Sequence, residues 1–123
     1  MRVFKTKEFA RFARREALRD VTLLEAASRA ERGLIDADLG GGLIKQRVAR
    51  PRQGRRRRRT LMAFRSGDRT VFVYGFAKNE RDNIGLAELE FWRKVAAAFL
   101  TMDDPRLRTL LAGQEIMEVV GDG

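Results

Sequence analysis

The 123-residue chain contains no cysteine and no histidine. Without cysteine there is no disulfide, thiolate metal site or thiol nucleophile, and without histidine the commonest general base and metal ligand is missing. Any catalysis must therefore run on lysine, arginine, tyrosine, hydroxyl or carboxylate groups, and any metal would need an all-oxygen site. Glu31, Asp36 and Asp38 gather near a glycine loop, but their spacing fits no calcium loop, so neither a metal nor another cofactor is implied. No apolar run approaches the roughly 18 residues of a bilayer span, and Met1-Arg2-Val3-Phe4-Lys5 lacks the apolar core of a signal peptide, so a cytoplasmic protein without membrane contact is expected. There is one tyrosine, Tyr74, and one tryptophan, Trp92. At this length residues 1–123 read as one domain with a modest core, and 35% charged residues imply a heavily charged surface.

Positive charge is what the chain has in excess: 26 lysines and arginines against 17 carboxylates, a net +9. Nine of those cations (Lys45, Arg47, Arg50, Arg52, Arg55, Arg56, Arg57, Arg58 and Arg59) fall between Lys45 and Arg59 with no carboxylate among them. The remainder is 17 against 17, so the excess is local. A concentrated cationic segment on a balanced body is the footprint of a protein that approaches a polyphosphate, because neutralising phosphates releases condensed counterions.

Periodicity predicts a short strand over Arg2–Lys5 and a helix over Lys7–Leu18 with Phe9, Phe12, Ala13 and Ala17 on one face. Thr22 and Glu25 have capping-box spacing, which opens a second helix that Gly33 can close. Asp36–Gly42 reads as a loop, and Leu43–Ala49 alternates as a strand until Pro51. Arg52–Arg58 is then a charged connection to strands over Thr60–Arg65 and Thr70–Ala77, joined by a Ser66-Gly67-Asp68 turn. A helix beginning at Asn83 or Gly85 and another beginning at Asp104-Pro105 follow, and the tail 114–120 fits either strand or helix. The expected fold is α+β: a small antiparallel meander flanked by two N-terminal and further C-terminal helices.

Side chains two apart on a strand share a face, so Lys45 and Arg47 stand side by side. Adjacent cations repel by roughly 1 kcal/mol even at the dielectric of bulk water, a cost that an anionic ligand relieves. Arg59 and Lys78, at the ends of neighbouring strands, can converge on the same surface. The arginine run, with Arg81, is expected to attract RNA phosphates without selecting sequence. Phe72, Tyr74, Phe76 and Lys78 fall on one face by strict alternation, with core packing favoured over base stacking for the aromatics, as for Phe91 and Trp92.

Phe4-Lys5-Thr6-Lys7, the run Ala30-Glu31-Arg32-Gly33-Leu34-Ile35-Asp36-Ala37-Asp38-Leu39-Gly40-Gly41-Gly42, Ile44-Lys45-Gln46-Arg47, Phe72-Val73-Tyr74-Gly75-Phe76-Ala77-Lys78 and Asp82-Asn83-Ile84 together resemble the RelE/HigB-like toxins of type II toxin–antitoxin systems over nearly the whole chain. The resemblance implies a small sheet flanked by helices, an antitoxin partner expected to be a helix-turn-helix protein, and metal-independent endoribonuclease activity on mRNA, in some relatives on the ribosome. In that chemistry the ribose 2'-hydroxyl attacks the adjacent phosphate while basic residues, and often a tyrosine, handle protons and charge. Carried over by position, Lys45, Arg47, Arg59 and Lys78 are the catalytic candidates; Tyr74, as the only tyrosine in the chain, is the candidate for proton transfer, and the charged segment with Arg50, Arg52, Arg55, Arg56, Arg57 and Arg58, together with Arg81, supplies the RNA-binding candidates. The chain departs from the pattern at Asn79 and Gly85, where such ribonucleases commonly carry an arginine and a tyrosine. Two other readings stay open: a non-enzymatic gyrase inhibitor resembling the ParE branch of the superfamily, and an inactive RNA-binding module.

Overall fold

In a computed structural model, residues 1–49, 57–77 and 84–121 are described. Element order is β1 (Arg2–Thr6), α1 (Lys7–Arg15), α2 (Asp20–Glu31), β2 (Ala37–Gly40), β3 (Leu43–Ala49), β4 (Arg57–Arg65), β5 (Arg69–Ala77), α3 (Leu86–Thr101), α4 (Asp104–Ala112) and β6 (Ile116–Glu118). The fold is α+β, built on one six-stranded sheet in the order β2-β3-β4-β5-β1-β6. The predicted meander is present as β3-β4-β5, but the sheet is mixed: β1 runs parallel to β5, with Phe4 beside Val71, and antiparallel to β6.

Helices cover both faces. Thr6 caps α1 by accepting a hydrogen bond from Phe9 N–H at 3.1 Å, and Glu8 and Arg14/Arg15 complement the two ends of the helix dipole. The helix stops at Arg15 because Ala17 takes a left-handed conformation (φ 56°), with Leu18 N–H bonded back to the Ala13 carbonyl and Ala17 N–H to that of Arg14. Ala17 is therefore outside the helix and exposed, contrary to its expected place on the apolar stripe. The second helix opens at Asp20 behind Arg19, so Thr22 lies within its first turn and is not the cap. Phe9, Phe12, Leu23 and Ala27 pack with Ile44, Val48, Met62 and Phe72 as one core.

On the opposite face, Ala96 and Leu100 of α3 and Leu107 of α4 pack with Phe4, Leu43, Leu61, Val71 and Val73. Arg69, 8% exposed, closes the C-terminal end of α3 by donating to the carbonyls of Phe99 (3.0 Å) and Met102 (2.9 Å). Asp103 caps α4 by accepting from Arg106 N–H at 2.9 Å.

Three further expectations are corrected. Asp36–Gly42 is more than a loop: it contains edge strand β2, and Gly40, Gly41 and Gly42, all at positive φ, make the reversal into β3. The fourth strand is extended from Arg57, not Thr60, so Arg57, Arg58 and Arg59 are ladder residues opposite Ala49, Val48 and Arg47. A register shift between Leu61 and Met62 breaks the alternation of β5: Phe72 lies in the α1/α2 core, whereas Tyr74 packs with the α3 core. The ambiguous tail is strand β6.

Candidate functional site

Alternation along β3 and β4, read through their register, decides which cations meet. Lys45 is opposite Leu61, which is opposite Tyr74; Arg47 is opposite Arg59, which is opposite Phe76. These two rows lie on the α3 face, so Lys45, Arg47 and Arg59 converge on one surface. Arg47 is exposed, and Lys45 and Arg59 are half-buried. Among the described residues none of the three side chains has a hydrogen-bond or ion-pair partner.

Arg47 and Arg59 are also held close. The Arg47 N–H donates to Asp36 Oδ2 (2.5 Å), and the Arg47 carbonyl accepts from Arg29 Nη2 (2.7 Å). Both peptide groups therefore point away from β4, which makes Arg47 and Arg59 a non-hydrogen-bonded cross-strand pair. In such pairs the Cα atoms stand about 4.5 Å apart and the side chains are at their nearest. Two guanidinium groups this near, with no partner among the described residues, repel by about 1 kcal/mol even at the dielectric of bulk water, and a phosphate between them reverses the sign of that energy.

Tyr74 sits one strand beyond Leu61, about two interstrand spacings or roughly 10 Å from Lys45. Its ring stacks on Trp92 of α3, with centroids 5.0 Å apart and planes at 27°, and lies 6.0 Å from Phe76. Phe91, expected to be a packing residue, is 56% exposed and meets Trp92 only edge-on. Two surface clefts of about 410 and 620 Å³ flank Trp92, and neither is lined by Lys45, Arg47 or Arg59. Among the described residues the cation cluster is a strip along the β3–β4 pair, with Arg47 exposed and Lys45 and Arg59 half-buried.

Arg58 does not belong to that strip. Strand alternation sends it to the α1 side, where it is 4% exposed and its Nε donates to Glu16, itself largely buried. Reading Arg58 as an RNA contact is corrected on that ground: a guanidinium enclosed with a carboxylate is a structural ion pair. Arg57 is placed in the β4 ladder. Lys78 and Arg81, with Arg50, Arg52, Arg55 and Arg56, lie outside the described residues. The partners Asp36, Arg29 and Glu16 carried no signal in the sequence, since each acts on a residue at least 11 positions away.

Among the described residues no group of three or more acidic side chains is placed to hold a metal ion, and no helix is long and apolar enough to cross a membrane. No curated protein matches the chain at a significant level. Residues 1–119 do match a protein-family model, that of the RelE toxin of the RelE / RelB toxin–antitoxin system. With nearly its whole length matched, on a fold of this kind, the chain belongs to the RelE toxin family.

Proposed function

We infer that the protein is a metal-independent endoribonuclease that cuts mRNA, held silent by an antitoxin of the helix-turn-helix type and acting with or without the ribosome. The observation that carries this reading is the cluster of Lys45, Arg47 and Arg59 on one face, with no anionic partner among the described residues. Membership of a toxin family sets the class, and family toxins are generally ribonucleases.

In the proposed reaction the ribose 2'-oxygen bonds to the adjacent phosphorus and the bond to the next nucleotide's 5'-oxygen breaks, leaving a 2',3'-cyclic phosphate and a free 5'-hydroxyl. One proton leaves the 2'-hydroxyl and one reaches the departing 5'-oxygen. Phosphorus gains negative charge on its non-bridging oxygens as the attacking oxygen adds, and preorganised cations there are worth about 10²- to 10³-fold each. Arg47 and Arg59 are assigned to that charge. Lys45, one row along, is assigned to the phosphate or to a transferring proton, Lys78 remains a catalytic candidate by family position, and Tyr74 a proton-transfer candidate as the only tyrosine. Arg50, Arg52, Arg55, Arg56, Arg57 and Arg81 are assigned to holding RNA through phosphates.

Inducing the chain in a bacterium and mapping mRNA 5' ends by primer extension tests this: new internal ends should appear within minutes. Growth arrest with intact transcripts would overturn it, and supercoiling by purified gyrase in the toxin's presence would then examine the ParE-like alternative. Lys45→Ala combined with Arg47→Ala should lower cleavage by about 10³-fold or more and restore growth, while the thermal midpoint stays near that of the unaltered protein, since both side chains are unpaired.

A further inference from the structure

β2 accompanies β3 only as far as Ala37 beside Lys45. From Gln46 onward β3 has no strand on that side among the described residues, yet its next outward-facing peptide groups, those of Arg47, are both satisfied. Asp36 supplies the acceptor and Arg29 the donor that a longer β2 would have supplied. Each of these side chains is itself anchored. Asp36 N–H donates to Gln46 Oε1 (3.0 Å), and Gln46, fully buried, donates through Nε2 to the carbonyls of Leu34 (2.9 Å) and Ala26 (3.1 Å). The Arg29 Nε is held 2.7 Å from Glu25, one helical turn away. On the other edge of the same strand, the Thr60 hydroxyl donates to the Gln46 carbonyl at 2.9 Å.

We propose that Asp36 and Arg29 are positioning residues for the RNA-cleaving face: together they act as a surrogate strand that fixes the Arg47 peptide, and so keep its guanidinium beside that of Arg59. This deepens the ribonuclease reading and rests on it. The need for such a device follows from the repulsion between the two arginines. An edge residue with free peptide groups can relieve that repulsion by fraying outward, whereas one bracketed by a carboxylate and a guanidinium cannot. Neither positioning side chain needs to touch substrate, because both lie at the edge of β3 and act on its backbone. Displacements of about 1 Å at a reacting centre cost up to 10²-fold in rate, so the loss of one bracket is expected to be smaller than the loss of a cation.

Asp36→Ala and Asp36→Asn separate this role from a merely structural one, because the asparagine Oδ1 can still accept the Arg47 N–H. In single-turnover cleavage of an RNA oligonucleotide, Asp36→Ala should reduce the maximal rate about tenfold with less than a twofold change in half-saturating RNA, and Asp36→Asn should stay within about twofold of the unaltered protein. An Asp36→Ala protein that cleaves at full rate, or an Asp36→Asn protein as impaired as Asp36→Ala, would overturn the proposal. If the unaltered protein cleaves no RNA, the ribonuclease reading falls by itself, and the bracket is judged from NMR of the folded protein. Asp36→Ala, but not Asp36→Asn, should then speed exchange of the Arg47 amide about tenfold and increase motion of the Arg47 and Arg59 guanidinium groups; unchanged signals would sink the bracket.

Discussion

Arg58 and Arg59 are neighbours in one strand with the same side chain, and they have opposite roles. Arg58 is enclosed on the α1 side with Glu16 as its partner, while Arg59 faces the other way, half-buried and without an ion-pair partner among the described residues. The same division runs along β3: Gln46 makes three side-chain hydrogen bonds on one face, and the side chains of Lys45 and Arg47 make none with the described residues on the other. One face of this part of the sheet has its polar groups closed internally, and the other leaves its charges for something else to neutralise. In a strand, a shift of one residue exchanges the two outcomes, so register distributes the arginine run between structure and binding.

The comparison breaks most decisively at that pair of arginines. Arg58→Ala leaves Glu16 largely buried with only the exposed Arg15, 3.8 Å away, as counter-charge, and should cost about 3 kcal/mol in chemical denaturation, whereas Arg59→Ala should stay within about 0.5 kcal/mol while RNA cleavage falls. Similar stability losses in the two variants would mean that the faces do not differ as described. A second, smaller effect belongs to the α1 face, where Gly75 makes room for the Phe12 ring: a Cβ there would sit 2.2 Å from a ring carbon. Gly75→Ala should therefore lower stability by about 1–3 kcal/mol, and a simultaneous Phe12→Leu should recover part of it.

The smallest effect is at the far edge of the sheet, where Arg2 donates to Glu118 at 3.0 and 3.1 Å. That hydrogen bond holds the Glu118 carboxyl below its usual 4.5 against the opposing effect of burial, with a smaller Coulombic contribution from Arg2. A carboxyl lowered in the folded state contributes stability above its unfolded pKa and loses it as pH falls through the folded one. Glu118→Gln should thus be slightly less stable than the unaltered chain near neutrality, with the gap closing as pH falls below 4.5; a gap that stays constant into acid would point to packing instead.

Legibility varied with how local the cause was. The strand Leu43–Ala49, the turn at Ser66–Asp68 and the helix after Asp103 were readable because alternation, turn chemistry and a cap are written within a few residues. Strand β2 was not, since four residues before a glycine run carry too little pattern to show that they pair with β3. The start of β4 was hidden because five consecutive arginines, Arg55 to Arg59, have no apolar alternation to read. Tyr74 was assigned the face of Phe72 because strict period-two counting cannot anticipate the register shift against β4.

For the site, placing Lys45 and Arg47 on one face needed only the pleat, and the approach of Arg59 needed the β3–β4 register. The fate of Arg58 needed Glu16, 42 residues away. By itself the sequence determined the chemistry available to this protein: no thiol, no imidazole, and an excess of cations confined to one segment. Tertiary structure alone decided which of those cations are neutralised internally, as Arg58 is by Glu16, and which stand together on the other face of the sheet. Charge is a property of each residue, whereas its cancellation depends on which distant carboxylate the folded chain brings within reach.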